Sequence, residues 1–164
     1  MDPNTLWRAA LVVGAGMLVK RANAGGTAVD IPAQIVRVSK SDEEWKRVLS
    51  AQQFQVLRKE QTERAFTSPL NDNKAKGVYL CAGCDLPLWS SEHKFDSGTG
   101  WPSFWQPIAP QVIGTKTDFY LIYPRTEVHC ARCDGHQGHV FNDGPKPTGL
   151  RYCINGVALK FAAA

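Results

Sequence analysis

The sequence predicts an α+β protein, with a helical N-terminal part set over a mainly antiparallel β core. Three observations lead there. Residues 42–64 carry apolar side chains at helical spacing behind a capping residue. From Gly77 onward the chain breaks into short strand-like runs punctuated by Gly and Pro. Two Cys-x-x-Cys pairs, Cys81/Cys84 and Cys130/Cys133, each follow such a run and are spaced for a shared metal ion.

Residues 1–24 read as a targeting segment. Arg8 precedes an apolar run from Ala9 to Val19, and Ala22-Asn23-Ala24 is a small-x-small cleavage pattern. The run is shorter than the roughly 20 residues a membrane-spanning helix needs. Export to a periplasm is the first expectation. Asp2, and the late Lys20 and Arg21, depart from that pattern, so a mitochondrial presequence or an ordinary tail on a cytoplasmic protein stay as alternatives. Residues 25–40 read as a linker and residues 41–164 as the folded domain. The net charge of +4 is spread along the chain, without the basic stripe that would track phosphates, so nucleic acid is not expected as a partner. A monomer is the default.

Within the domain, Ser41 or Asp42 can cap a helix running through Arg64, with Glu43 and Glu44 in its first turn. Gln53 to Thr62 can form a second helix. Thr67 to Asn73 is loop. Val78-Tyr79-Leu80 leads into the first cysteine pair. Asp118 to Tyr123 and Thr126 to His129 are the clearest strands, with Pro124-Arg125 between them. Tyr152 to Phe161 closes the domain as one or two more strands.

Thiolates in two Cys-x-x-Cys turns favour zinc, or less often iron. Cys81, Cys84, Cys130 and Cys133 would fill all four positions of one ion and leave none open for chemistry. With 45 residues between Cys84 and Cys130, such an ion clips two distant parts of the fold together. The plainer alternative is reduced thiols or two local redox pairs.

Cys153 is then left over. If Arg151-Tyr152-Cys153-Ile154-Asn155 is a strand, a cation, a thiol and an amide share one face. That is poor design for a core and good design for an active site. A neighbouring cation lowers a thiol pKa and raises the thiolate fraction. Two further segments are rich in reactive groups. Phe95 to Trp105 holds Trp101 on a Gly-rich loop, where it can line a pocket or plug the core. Gly135 to Asn142 holds His136 and His139, better suited to acid–base work than to a second metal, with one structural and one active His as the plainer reading.

Taken together, these segments resemble methionine sulfoxide reductase of the B type, which acts on the R-epimer of the sulfoxide. The resemblance is carried by Cys81-x-x-Cys84, Phe95-Asp96-Ser97-Gly98-Thr99-Gly100-Trp101-Pro102-Ser103-Phe104, Cys130-x-x-Cys133, Gly135-His136-Gln137-Gly138-His139-Val140-Phe141-Asn142-Asp143-Gly144-Pro145 and Arg151-Tyr152-Cys153-Ile154-Asn155. It extends upstream through Gln55-Val56-Leu57-Arg58 and Thr62-Glu63, and covers residues 42–161. It implies a β-tent fold and one structural zinc ion on the four paired cysteines, far from the thiol.

The resemblance also implies roles. Cys153 attacks the sulfoxide sulfur, His139 is the acid, and His136 and Asn155 hold the polar network. Arg151 favours the thiolate. Trp101, with Phe104, takes the substrate side, the indole cradling the methyl group as positive charge develops on sulfur. Cys153 ends as a sulfenic acid. Many relatives carry a second, resolving cysteine where this chain has Thr99. Recycling is therefore expected from an external thiol, either a thioredoxin- or glutaredoxin-type protein or a small thiol. The substrate is protein-bound or free methionine sulfoxide. A zinc-ribbon binding module is the non-enzyme alternative, and a thiol peroxidase or disulfide-exchange enzyme the other enzymatic one.

Overall fold

The computed structural model describes residues 19–24, 27–119 and 123–164. Among the described residues the strands are β1 (Val19–Ala24), β2 (Thr27–Pro32), β3 (Gly77–Cys81), β4 (Pro87–Ser90), β5 (Lys94–Phe95), β6 (Ser103–Phe104), β7 (Ile113–Asp118), β8 (Arg125–Cys130), β9 (His136–Phe141), β10 (Arg151–Ile154) and β11 (Leu159–Ala163), and the helices are α1 (Asp42–Val48) and α2 (Ala51–Lys59). A six-stranded sheet runs β5-β6-β10-β9-β8-β7, a three-stranded sheet runs β11-β3-β4, and β1 pairs with β2. The pairings are antiparallel throughout. The expected α+β class, two N-terminal helices on an antiparallel core, is the one observed.

The helical segment is two helices because Ser50 interrupts it. Ser41 and Ser50 each cap a helix through a reciprocal box, Ser41 with Glu44 and Ser50 with Gln53. Each such cap stabilises its helix by about 1 kcal/mol. Leu49 and Ser50 are extended, so the chain turns before starting again. α2 stops at Glu60, whose backbone is left-handed at φ 55°. α1 buries Trp45 beneath the Arg58 and Lys40 cations, 5.0 and 5.8 Å from its ring. α2 buries Phe54, Val56 and Leu57 and packs on β9.

Aromatic rings join the two larger sheets. Phe104 stacks on Trp89 at 5.0 Å and meets Tyr79 edge-on at 5.1 Å, and Tyr152 packs on Trp89 at 5.2 Å. Phe104 and Trp89 are wholly buried. Phe104 is thus a core residue and not a substrate contact: strand alternation sends it inward while its neighbour Ser103 faces the thiol.

The strand read at Asp118–Tyr123 falls in large part outside the described residues, which show an arm upstream of it. Ile113–Asp118 is the arm that pairs with Arg125–Cys130, and Phe119 and Tyr123 are exposed; residues 120–122 lie outside the described residues. The linker read at residues 25–40 is partly strand: Thr27–Pro32 pairs with Val19–Ala24 and buries Ile31. The alternation Val29-Asp30-Ile31 outweighs the linker composition. Beyond it, Val38 N–H donates to the Arg132 carbonyl at 2.7 Å and Arg37 pairs with Asp134, tethering this segment to the second cysteine turn. Most of the segment read as a targeting sequence, residues 1–18, lies outside the described residues.

Candidate active site and metal centre

The two cysteine pairs adopt the same turn. Cys81 ends β3 and Cys130 ends β8. In each, the amide four residues on donates back to the first cysteine's carbonyl at 2.9 Å (Asp85 to Cys81, Asp134 to Cys130). In each, that aspartate is left-handed, at φ 57° and 61°. The first cysteine's own amide donates across the turn, to Leu86 and to Gly135, at 2.9 Å. The four sulfurs lie within 4.8 Å of one another, with Cys81–Cys133 at 3.6 Å and Cys84–Cys130 at 3.5 Å. Tetrahedral thiolates around one ion stand about 3.8 Å apart, so the set fits a structural metal.

Hydrogen bonding among the sulfurs pushes the pKa of Cys81 and Cys130 up and holds that of Cys84 and Cys133 down. Four adjacent thiolates need a cation to be ionised together. Gln137, fully buried, donates its amide to Cys81 Sγ at 3.6 Å, and Arg58 donates to the Cys133 carbonyl at 2.7 Å.

The thiol site is assembled across the six-stranded sheet. Cross-strand partners share a face. Ser103 on β6 is opposite Cys153 on β10, Cys153 is opposite His139 on β9, His139 is opposite Glu127 on β8, and Glu127 is opposite Lys116 on β7. One row of polar side chains therefore crosses the sheet with the thiol in its middle. His136 joins the row through a bulge. His129 pairs with His136 and Val128 with Gly138, so Gln137 is an extra residue on β9. Residues three apart on a regular strand face opposite ways; the bulge lets the His136 and His139 rings meet edge-on at 5.4 Å.

Cys153 opens on a cleft of about 120 Å³ lined by Trp101, His139, Phe141, Arg125, Thr62 and Asn155. Thr99 Oγ1 lies 3.8 Å from its sulfur and continues a hydroxyl chain through Ser97 (2.8 Å) to Ser103 (2.7 Å). Burial pushes the Cys153 thiol up, against the lowering influence of Thr99 and Arg151. Arg151 acts in the expected direction, toward the thiolate, and burial outweighs it in the substrate-free site. Its guanidinium is shared: it forks onto Asp143 through two 2.8 Å bonds and lies 4.5 Å over the Phe141 ring. Asp143 in turn works against the thiolate.

The remaining residues are braced from the 62–63 segment. Asn155 directly follows β10 and is buried. Its amide donates to the Gln137 carbonyl at 3.0 Å, and its oxygen accepts from the Glu63 amide at 2.9 Å. The Glu63 carboxylate accepts from the Gly156 and Val157 amides at 2.5 and 2.9 Å. Burial raises the Glu63 pKa against the pull of those amides. The Glu63 carbonyl accepts from the Trp101 indole N–H at 3.1 Å, fixing the ring over the cleft. The structure thus brings Trp101, His139, Asn155 and Cys153 together, sets His136 and Arg151 beside them, and removes Phe104.

Glu63 and Glu127 were not singled out from the sequence. Glu127 is 2% exposed, and its Oε1 lies 2.7 Å from His136 Nδ1. Its sequence neighbours give no sign of this, because the partners come from β7 and β9.

A family model described as the SelR domain matches residues 49–163. Among similar curated proteins, "Peptide methionine sulfoxide reductase MsrB" of Leptospira interrogans is 53% identical over 124 residues, covering 76% of this chain and 95% of that protein. The protein of the same name from Methanosarcina barkeri is 55% identical over 124 residues, 76% of this chain and 87% of its own. "Peptide methionine sulfoxide reductase B1, chloroplastic" of Arabidopsis thaliana is 54% identical over 126 residues, 76% of this chain and 62% of its own.

Proposed function

This chain belongs to the MsrB family of peptide methionine sulfoxide reductases, and we propose that it reduces the R-epimer of methionine sulfoxide with Cys153 as the reacting thiol. One observation carries the reading. Cys153 shares a single cleft with Trp101, His139 and Asn155, while the other four cysteines are gathered in a separate cluster.

The substrate methyl group rests against Trp101, whose ring attracts the positive charge that develops on sulfur. Its placement is supported by the indole bond to the Glu63 carbonyl. Substrate binding brings the sulfoxide dipole to the buried thiol, and Thr99 and Arg151 favour the thiolate that forms. The Cys153 thiolate attacks the sulfoxide sulfur as His139 protonates the oxygen, which then passes to the Cys153 sulfur. The S–O bond of the sulfoxide breaks and a Cys153 S–OH bond forms. The substrate sulfur gains two electrons and leaves as methionine, and Cys153 is oxidised by two to the sulfenic acid. Asn155 and His136 keep the polar groups in place.

Recycling then uses an external thiol of thioredoxin or glutaredoxin type, or a small one. It displaces water from the sulfenic acid to give a mixed disulfide, which a second thiol resolves, returning Cys153 as a thiol. Support comes from Thr99, whose hydroxyl lies beside the sulfur and cannot form a disulfide. We assign Cys81, Cys84, Cys130 and Cys133 to one structural zinc ion, which would tie β3 to β8 and take no part in the reaction. Residues 1–24 would direct export to a periplasm; N-terminal sequencing of the mature protein from fractionated cells tests this. Free and protein-bound sulfoxide both suit the small cleft.

The deciding experiment is turnover of each methionine sulfoxide epimer with dithiothreitol. The R-epimer alone should be reduced by the wild type, and neither by Cys153→Ser. Full activity in Cys153→Ser would overturn the assignment.

A further inference from the structure

The side chain of Glu63 is buried, and the proposed chemistry gives it no task. Its neighbour Thr62 lines the thiol cleft, while Glu63 itself lines a second cavity, of about 400 Å³, with Ser68, Leu70, Gly156 and Val157. The residue is tied on every side. Its carboxylate oxygens accept from the Gly156 and Val157 amides at 2.5 and 2.9 Å. Its backbone N–H donates to Asn155 Oδ1 at 2.9 Å, and its carbonyl accepts from the Trp101 indole at 3.1 Å.

A carboxylate is costly to bury for packing alone. When ionised it only accepts hydrogen bonds, and here each oxygen faces an N–H. Those N–H groups belong to the short turn Gly156–Ala158, which follows Asn155 and hence the end of β10. The Glu63 side chain thus pins its own backbone to the strand that carries Cys153, and that backbone holds the indole. The two site residues it holds depend on it unequally. Asn155 has a second anchor, the Gln137 carbonyl, which accepts from its side-chain amide at 3.0 Å and from its backbone N–H at 2.8 Å. The Trp101 indole N–H is held by the Glu63 carbonyl. Slack at Glu63 therefore falls on the ring.

We propose that Glu63 is a positioning residue of the substrate subsite: its carboxylate, seated on the Gly156 and Val157 amides, sets where the Trp101 ring meets the substrate methyl group. The inference rests on Trp101 taking the substrate side. The thiol and the indole are then the two ends of one strut, running from Cys153 along the strand to Gly156, across to Glu63 and on to Trp101. Glutamine has the shape of glutamate but offers a donor in place of one acceptor. Glu63→Gln sets an NH2 group against one of the two amide N–H groups, and the second cavity gives the side chain room to turn away.

The test is steady-state reduction of the R-sulfoxide with dithiothreitol, with the indole N–H resonances of the substrate-free protein read by NMR. Glu63→Gln should raise KM by about fivefold to tenfold and lower kcat by less than roughly threefold. It should also move the indole resonance that Trp101→Ala deletes. Once Trp101→Ala has removed the ring, adding Glu63→Gln should raise KM no further. A wild-type KM or an unmoved Trp101 resonance in Glu63→Gln would overturn the proposal. Additive KM effects in the double variant would do the same, since they mark general loosening of the fold. Should Glu63→Gln fail to fold, Glu63→Asp takes its place, because it is a methylene too short to seat on both amides; a wild-type KM there sinks the proposal equally. Trp101→Ala alone separates the two readings. If it keeps the wild-type KM, Trp101 is not the substrate side and the underlying reading fails. If its KM rises while that of Glu63→Gln does not, only the role of Glu63 fails.

Discussion

Cys81 and Cys130 each end a strand and turn back through the same short loop, whereas Cys153 sits inside β10 and gains its surroundings from β8, β9, the 62–63 segment and the Thr99–Trp101 loop. The metal turns are local: each is completed by amides within five residues of its first cysteine. The thiol site is non-local: its register depends on a bulge at Gln137 and its indole on a carbonyl 38 residues away. Local construction serves stability, since an ion joining two self-contained turns clips β3 to β8. Non-local construction serves chemistry, since it brings unlike groups onto one thiol. β9 links the two, with Gln137 donating to Cys81 and His139 facing Cys153 two residues later.

The largest expected effects come from exchanging the two losses. Cys153→Ser should abolish turnover and leave melting temperature and metal content unchanged. Cys130→Ser should release the metal and destabilise the fold by roughly 4 kcal/mol or more, since metal binding is folding free energy in such sites. Metal content by mass spectrometry, with calorimetry, reads both. A Cys130→Ser protein that melts like the wild type would mean the cluster is not a clip.

Thr99→Cys should add a local partner to the non-local site. The present hydroxyl lies 3.8 Å from the Cys153 sulfur, within reach of a disulfide after small adjustment. After one equivalent of sulfoxide without reductant, intact mass should show an internal disulfide in the variant. In the wild type Cys153 should stay a sulfenic acid or a mixed disulfide. An internal disulfide between Cys153 and any paired cysteine in the wild type would contradict recycling by an external thiol.

What the sequence made legible follows the same division. The metal turns, the Trp101 loop and the two histidines are compact runs, so their residue types announce them. Glu127 was invisible because Thr126-Glu127-Val128 reads as an ordinary strand with an outward acid, and only β7 and β9 reveal where it points. Phe104 was misjudged for the converse reason. It lies three residues from Trp101 in the same motif, yet pairing of β6 with β10 turns it into the core. The interruption at Ser50 was in the sequence as Ser50-x-x-Gln53, a capping box overshadowed by the apolar periodicity around it.

Gly100→Ala is a smaller perturbation aimed at the indole. Gly100 has φ 90°, and a methyl group there would meet the Phe66 ring at 2.7 Å. The Phe66 amide also donates to the Gly100 carbonyl, so the two loops would be forced apart beside Trp101. KM should rise about tenfold with metal content unchanged, a loss of roughly 1.4 kcal/mol in substrate binding. An unchanged KM would mean Trp101 does not depend on that contact.

The mildest test is pH alone. Burial raises the Cys153 pKa while Thr99 and Arg151 lower it and Asp143 opposes them. The free enzyme should therefore alkylate with iodoacetamide more slowly near neutral pH than an exposed cysteine, with its half-rate point above the ordinary thiol value. Arg151→Met removes a stabiliser of the thiolate and should move that point further up. Asp143→Asn removes a repulsive charge and releases the guanidinium from its fork, so it should move the point down. Opposite shifts from these two variants, each under one pH unit or so, would locate the balance in the Arg151–Asp143 pair. Shifts of the same sign would mean that packing around Phe141, over which the guanidinium lies, governs the thiol instead.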